Sequence, residues 1–183
     1  LAGRVKVNGV VVNTLGTKVS SKDEILVDDE IISKETKLYY LLYKPEKTIC
    51  SVHDEKGRTT VVDLIDTKEK IFPIGRLDYD TSGLLLLTND GELTNMLTHP
   101  SRDVEKTYYA KVDGIVNYKE IKELEHGIML DGVKTKKAKA KIRKIDQKNN
   151  KSYVDITITE GRNHQVKNMF MAINHKVLKL KNE

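Results

Sequence analysis

The chain has 183 residues, 38% of them apolar and 32% charged, with a formal net charge of +5. That length accommodates one compact domain with a real core plus a small appended module, and the balance is that of a soluble protein with a heavily charged surface. The single cysteine, Cys50, excludes an internal disulfide framework and a cysteine-built metal cluster, and no apolar run nears the roughly 18 residues of a membrane span. The excess of Lys and Arg favours a polyanionic partner, because each neutralised phosphate releases condensed counterions. No basic segment followed by an apolar stretch opens the chain, so a cytoplasmic protein is expected. It begins at Leu1 and ends in a strand-like pattern, Val177 to Lys181, and both ends are expected to be cut short.

In chain order, Arg4 to Val12 alternates around Asn8-Gly9, a dipeptide that signals a hairpin, and a further short strand is predicted at Glu24 to Val27. A charged stretch from Ser33 to Lys37 reads as a linker, so a first module is placed at 1–36 and a main domain at 37–183. Leu38 to Tyr43 predicts a strand stopped by Lys44-Pro45, and His53 to Thr60 a polar loop. Leu84 to Leu87, four leucines in succession, suits a central strand buried on both faces. Asp90 is placed to cap a short helix carrying Leu93, Met96 and Leu97 that Pro100 stops. The period of two from Val104 to Val112 sets Tyr108 on the apolar side of a strand. Asn117 with Glu120 forms a capping-box pattern before a helix bearing Ile121 and Leu124 and closing at Gly127. Ala138 to Ile145 and Tyr153 to Ile158 read as a hairpin. Val166, Met169, Phe170 and Ile173 then define an amphipathic helix expected to start just after Gly161. Elements joined mostly by hairpins predict an α+β domain with a mixed, largely antiparallel sheet flanked by helices.

Three segments could carry chemistry. Gly75 to Gly83 places Asp78, Asp80, Thr81 and Ser82 on a loop anchored by the leucine strand, where a rigid scaffold holds reactive groups; turn hydrogen bonding explains the same residues. A calcium loop fits positions one, three, five and six here, but Asn89 stands where a bidentate Glu is needed, and the leucines occupy the rest. Glu160 to Lys167 sets Arg162, His164 and Lys167 at the start of the last helix, either an anion site or an ordinary solvated face. Glu105 to Tyr109 offers Tyr108 as a core residue or as a platform for a nucleobase. Lys139, Lys141 and Arg143 form one basic stripe, and Arg4 and Lys6 another.

Together these segments resemble the pseudouridine synthase family, in its ribosomal RNA branch of the RsuA/RluB type. The match runs through Gly75-Arg76-Leu77-Asp78, Thr81 and Gly83 to Asn89-Asp90-Gly91, then Lys106-Thr107-Tyr108, then Glu160-Gly161-Arg162-Asn163 with Gln165-Val166. The stretch from Ala2 to Gly9 is similar to the end of the small RNA-binding domain named after ribosomal protein S4. The resemblance implies a pseudouridine synthase fold and the isomerisation of a uridine in ribosomal RNA, with a lean to the large subunit and the small subunit as alternative. It makes Asp78 the catalytic aspartate, as nucleophile or as base for a sugar proton. It also gives Tyr108 the part of packing on uracil and assisting loss of the carbon-five proton, and Lys167 that of the cation keeping Asp78 ionised. Lys167 departs from the Arg of many large-subunit relatives and lacks its bidentate fork. Arg4, Lys6, Arg76, Arg162, His164 and Gln165 are expected to contact RNA. A monomer that needs neither metal nor small-molecule cofactor and touches no membrane is the corresponding expectation. Two other classes stay open on the residues alone: a non-catalytic RNA clamp, and a glycoside-type hydrolase pairing Asp78 with a second acid such as Asp80.

Overall fold

The structure, a computed structural model, describes residues 3–32 and 35–183, so residues 1–2 and part of the linker expected at 33–37 lie outside the described residues. The chain separates into two compact units, Leu1–Thr36 and Lys37–Glu183.

The first unit is an antiparallel sheet of β1 (Val5–Val7), β2 (Val10–Val11), β3 (Ile25–Val27) and β4 (Glu30–Ile31) in the order β2-β1-β3-β4. Asn8 and Gly9 both have positive φ, 49° and 80°, the geometry of a tight hairpin turn. Asp28 and Asp29 do the same between β3 and β4, a second hairpin carrying no glycine signal. Their carboxylates take two cations, one just before β1 and one within it: Arg4 donates to Asp28 over 2.8 and 3.0 Å, and Lys6 to Asp29.

In the second unit, β5 (Tyr39–Lys44), β6 (Phe72–Pro73), β7 (Thr81–Thr88) and helix α1 (Gly91–Thr98) precede β8 (Lys106–Asp113) and helix α2 (Tyr118–His126). A small hairpin of β9 (Met129–Leu130) and β10 (Val133–Lys134) follows, then β11 (Lys139–Asp146), β12 (Lys151–Ile158), helix α3 (Gln165–Ala172) and β13 (Val177–Asn182). The main sheet runs β11-β12-β8-β13-β7-β5, with β6 also on β7. Every pairing is antiparallel except β13 with β7, so the sheet is mixed and the domain α+β.

Local signals set the helix ends. The Asp90 side chain accepts from the backbone of Glu92 and Leu93, and Asn117 with Glu120 closes a reciprocal capping box, each worth about 1 kcal/mol. Helices α2 and α3 bury Ile121, Leu124, Val166, Met169 and Phe170 against Ala110, Val112, Val154 and Ile156 of the sheet. A second cluster joins Val61, Ile71, Leu77, Leu85 and Leu87. Tyr108 packs against both clusters, at the seam between them.

Two expectations change. The leucine run is not buried on both faces: Leu85 and Leu87 are buried, while Leu84 and Leu86 are 40% and 39% exposed. Their cross-strand partners Tyr43 and Leu41 on β5 are exposed too, so this strand alternates like the rest and its uniform hydrophobicity hides the period. Second, α3 starts at Gln165, four residues beyond Gly161, because His164 enters the left-handed region at φ 50° and ends the preceding loop there.

Gly83 sets how closely β13 can approach β7. Its φ is 122°, and a Cβ at that position would collide with the backbone oxygen and nitrogen of Asn182. Gly83→Ala is therefore expected to cost about 3 kcal/mol or more through overpacking and backbone strain, read as a lowered urea midpoint. An unchanged midpoint would show that the parallel pairing is dispensable.

Candidate active site

The Asp78 loop is held from below. Leu77 is buried in the second cluster and its N–H points at Cys50 Sγ, 3.2 Å away. Thr81 N donates to the Asp78 carbonyl over 3.0 Å, closing a turn, and Lys47 N donates to the Tyr79 carbonyl over 2.7 Å. Beneath the loop lies Lys44, the last residue of β5, with no exposed surface. Its ammonium donates to the carbonyls of Pro45 (3.0 Å), Asp78 (3.1 Å) and Thr81 (2.8 Å), which satisfies all three of its donors. Burial pulls the Lys44 pKa down from its ordinary value, against the raising influence of nearby groups including Asp78 and Asp80. In the sequence Lys44 reads only as a strand end, and nothing there marks it as the support of a loop more than 30 residues away.

Above the loop stands the segment before α3. His164 Nδ1 and Lys167 Nζ each lie 3.1 Å from the same oxygen of Asp78, Oδ2, and Lys167 also reaches Asp80 Oδ1 at 2.5 Å. The left-handed backbone at His164 caps the helix without using its side chain, which leaves the imidazole to face Asp78. Burial pulls the Lys167 pKa down, but hydrogen bonds to Asp80 and Asp78 more than offset that, and the net shift is upward. The same hydrogen bond from Lys167 holds Asp80 below the usual carboxylate range.

Gln165 and Arg162 brace this segment. Gln165 is buried; its Oε1 accepts from Arg162 N over 2.9 Å and its Nε2 donates to Glu160 over 2.6 Å. The Arg162 guanidinium donates to the carbonyls of Val133 and Lys134 over 3.0 and 2.9 Å. Both were expected at the RNA, yet their polar atoms are engaged within the protein, although both border the cleft.

These elements enclose an open cleft of about 650 Å³, bordered by Arg76, Asp78, Tyr108, His164 and Lys167 with Ile158 and Leu180 as apolar wall. That volume falls within the roughly 300–1,000 Å³ typical of small-ligand sites, enough for a base and its sugar. Arg76 is exposed and makes no hydrogen bond or ion pair among the described residues. Burial raises the Tyr108 hydroxyl to about 12, with the negative charge of Asp78 adding to the effect, so its phenol is protonated at neutral pH. Arg4 and Lys6 belong to the other unit. Among the described residues no group of three or more His, Cys, Asp or Glu is placed to hold a metal.

The cleft thus offers one carboxylate faced by two basic groups, with the Tyr108 ring in the same lining. Asp80 is a poor second acid for hydrolysis, because its ion pair with Lys167 disfavours the protonated form that a general acid must have. The family model described as RNA pseudouridylate synthase matches residues 38–172, which include Lys44, Asp78, Tyr108, His164 and Lys167. The chain belongs to the RNA pseudouridylate synthase family.

The chain is 52% identical over 182 residues to ribosomal large subunit pseudouridine synthase B of Bacillus subtilis, covering 99% of this chain and 75% of that protein. It is 37% identical over 179 residues to ribosomal small subunit pseudouridine synthase A of Haemophilus influenzae, covering 96% and 75%. A crystal structure of a pseudouridylate synthase superposes with a TM-score of 0.73 at 36% identity, over 98% of this chain and 76% of that one. This pseudouridylate synthase should lose its site geometry when Lys44 is changed to Met. That change takes a donor from three carbonyls, of which Asp78's keeps Thr81 N while the buried one of Thr81 loses its lysine partner, at about 1–3 kcal/mol if unrelieved. A melting temperature lowered by several degrees with turnover reduced at least tenfold at a temperature where the variant is still folded is the expected result; wild-type turnover would contradict the assignment.

Proposed function

We propose that this pseudouridylate synthase isomerises a specific uridine of ribosomal RNA, and that the RNA is that of the large subunit. The observation that carries the reaction is the single carboxylate of Asp78, held by His164 and Lys167 beside Tyr108. The higher identity to a large-subunit enzyme than to a small-subunit one favours the large subunit.

The reaction breaks the bond from the sugar to N1 of uracil, turns the base, forms a bond from the same sugar carbon to C5, releases the C5 proton and places a proton on N1. Atoms balance without a cofactor. In this reading Asp78 attacks the sugar carbon or removes a sugar proton, and Lys167 keeps it ionised for either task. Tyr108 packs on the uracil ring, and its hydroxyl, protonated at neutral pH, assists loss of the C5 proton by relaying it, giving up its own proton as it takes that one. Arg76 and His164 meet the RNA around the flipped nucleotide, whose unstacking costs roughly a few kcal/mol. Residues 1–36 serve as an S4-type RNA-binding module. The Arg4–Asp28 and Lys6–Asp29 pairs are exposed and screened by solvent, so a phosphate can displace the carboxylates at little cost. The enzyme works as a monomer in the cytoplasm, where its substrate is made.

Incubation with unmodified large- and small-subunit ribosomal RNA, followed by carbodiimide-dependent primer extension, should give a new stop in the large-subunit RNA. Asp78→Asn should abolish it while leaving RNA binding intact. A stop in the small-subunit RNA alone would replace the substrate assignment, and RNA binding without any stop would replace the enzyme with a clamp. Tyr108→Phe keeps the ring and removes the hydroxyl, so turnover is expected to fall about 100-fold with little change in KM. Undiminished turnover would confine Tyr108 to packing.

A further inference from the structure

Strands send successive side chains to opposite faces, so the sheet that lines the cleft presents a second surface behind it. Tyr108, Thr81 and Leu180 border the cleft, while their chain neighbours Tyr109, Ser82 and Lys181 border a separate hollow of about 460 Å³. The two hollows share no lining residue.

The rear hollow combines aromatic faces with cations. Tyr109 and Tyr153 stack with ring centroids 5.9 Å apart and planes 24° from parallel. Lys111 and Lys144 both approach the Tyr153 ring, at 5.8 Å each, and Lys181 lies 5.7 Å from the exposed Tyr43 ring. Lys179 sits directly across from Lys111 on the neighbouring strand. Like charges placed opposite each other destabilise a sheet unless an anion intervenes. The acids nearby are engaged and fewer than the lysines: Glu46 faces Lys179 at 3.5 Å, Glu183 faces Lys181 at 3.4 Å, Asp155 accepts from Arg143 at 2.9 Å, and Asp146, bonded to Asn149, lies near Lys111 and Lys144. Lys111 and Lys144 make no ion pair among the described residues.

We infer that this rear face is a second RNA-binding surface, on which a single-stranded segment flanking the target uridine stacks its bases on Tyr109, Tyr153 and Tyr43 while its phosphates meet Lys111, Lys144, Lys179 and Lys181. Aromatic faces accept any base and lysines follow a backbone, so the surface supplies affinity and orientation without reading sequence. This rests on the RNA-acting reading above. Lys179 and Lys181 are loosely paired with Glu46 and Glu183 while Lys111 and Lys144 are not, and a surface with that excess of lysine gains more from a polyanion than from a protein partner, so charge complementarity favours the RNA.

The test uses the whole chain, a fluorescently labelled fragment of large-subunit ribosomal RNA containing the site mapped by primer extension, and binding isotherms at several salt concentrations. A mixed-sequence single-stranded RNA of about 20 nucleotides replaces the fragment if no site is found. Lys111→Gln with Lys181→Gln should weaken binding roughly tenfold and flatten the salt dependence by about 1.4, two lysines at about 0.7 each for a single strand. On the mapped substrate the same double variant should raise KM while kcat stays at the wild-type value, because neither residue borders the cleft. Lys111→Arg with Lys181→Arg, which keeps the charges, should bind as wild type does; weakened binding by this variant would overturn the electrostatic account. Equal affinity and equal salt slope for the glutamine variant and the wild type would also overturn the inference, and would turn the surface over to a protein partner. Should the wild type form no pseudouridine, the enzymatic reading fails on its own, and the binding comparison still decides whether the rear face holds RNA.

Discussion

A charged amine buried without water is tolerated only when every proton on it is bonded, and Lys44 meets that condition with three backbone carbonyls. Two of those carbonyls belong to Asp78 and Thr81, so the need to satisfy a buried ammonium becomes a constraint on the loop that carries the reactive carboxylate. Strand β5 is thereby tied to the start of β7 by a side chain as well as by the sheet ladder. From the other side, Lys167 and His164 close on Asp78 from a segment whose position depends on Gln165 and Arg162. The carboxylate is thus located by two networks, one below its backbone and one before its side chain.

Much of this was legible in the residues, and the failures have definite causes. Caps announced themselves: Asp90 and the Asn117–Glu120 box act as their spacing suggested, because a cap depends on neighbours two or three residues away. The Asn8-Gly9 turn was equally local, whereas the Asp28-Asp29 turn escaped because aspartate adopts positive φ without advertising it. The four leucines misled, since a period of two cannot be seen when every residue is apolar, and the exposure of Leu84 and Leu86 depends on what covers the sheet. Asp78, Lys167 and His164 were identifiable as separate candidates, but their meeting at one oxygen is a tertiary fact. Lys44 and the bracing by Arg162 were invisible for the same reason, since each acts on backbone carbonyls that the sequence places elsewhere, while Gln165 bonds within its own loop, to Arg162 N and Glu160, in a pattern that has no spacing signature.

The strand alternation gives the catalytic sheet two chemically different faces. One is apolar around a small polar site, suited to holding a single flipped base against Tyr108. The other carries tyrosines and lysines, Tyr43 and Lys179 exposed and Tyr109, Tyr153, Lys111 and Lys181 half-buried, with fewer acids than lysines. A target within a folded RNA must be pulled out of its stack, and contacts away from the reacting base are where the cost of that extraction is recovered. Division of labour between the faces, chemistry on one and retention of the strand on the other, follows from a single sequence period.

The most direct test of the central claim follows both the proton and the base. Ribosomal RNA labelled with tritium at C5 of uridine, incubated with this chain, should release tritium to water at one equivalent per modified site, with no free uracil, and Asp78→Asn should release none. Appearance of free uracil would mean that Asp78 drives hydrolysis, and tritium release that survives Asp78→Asn would mean that the carboxylate held by Lys44, Lys167 and His164 is not the group on which the reaction depends.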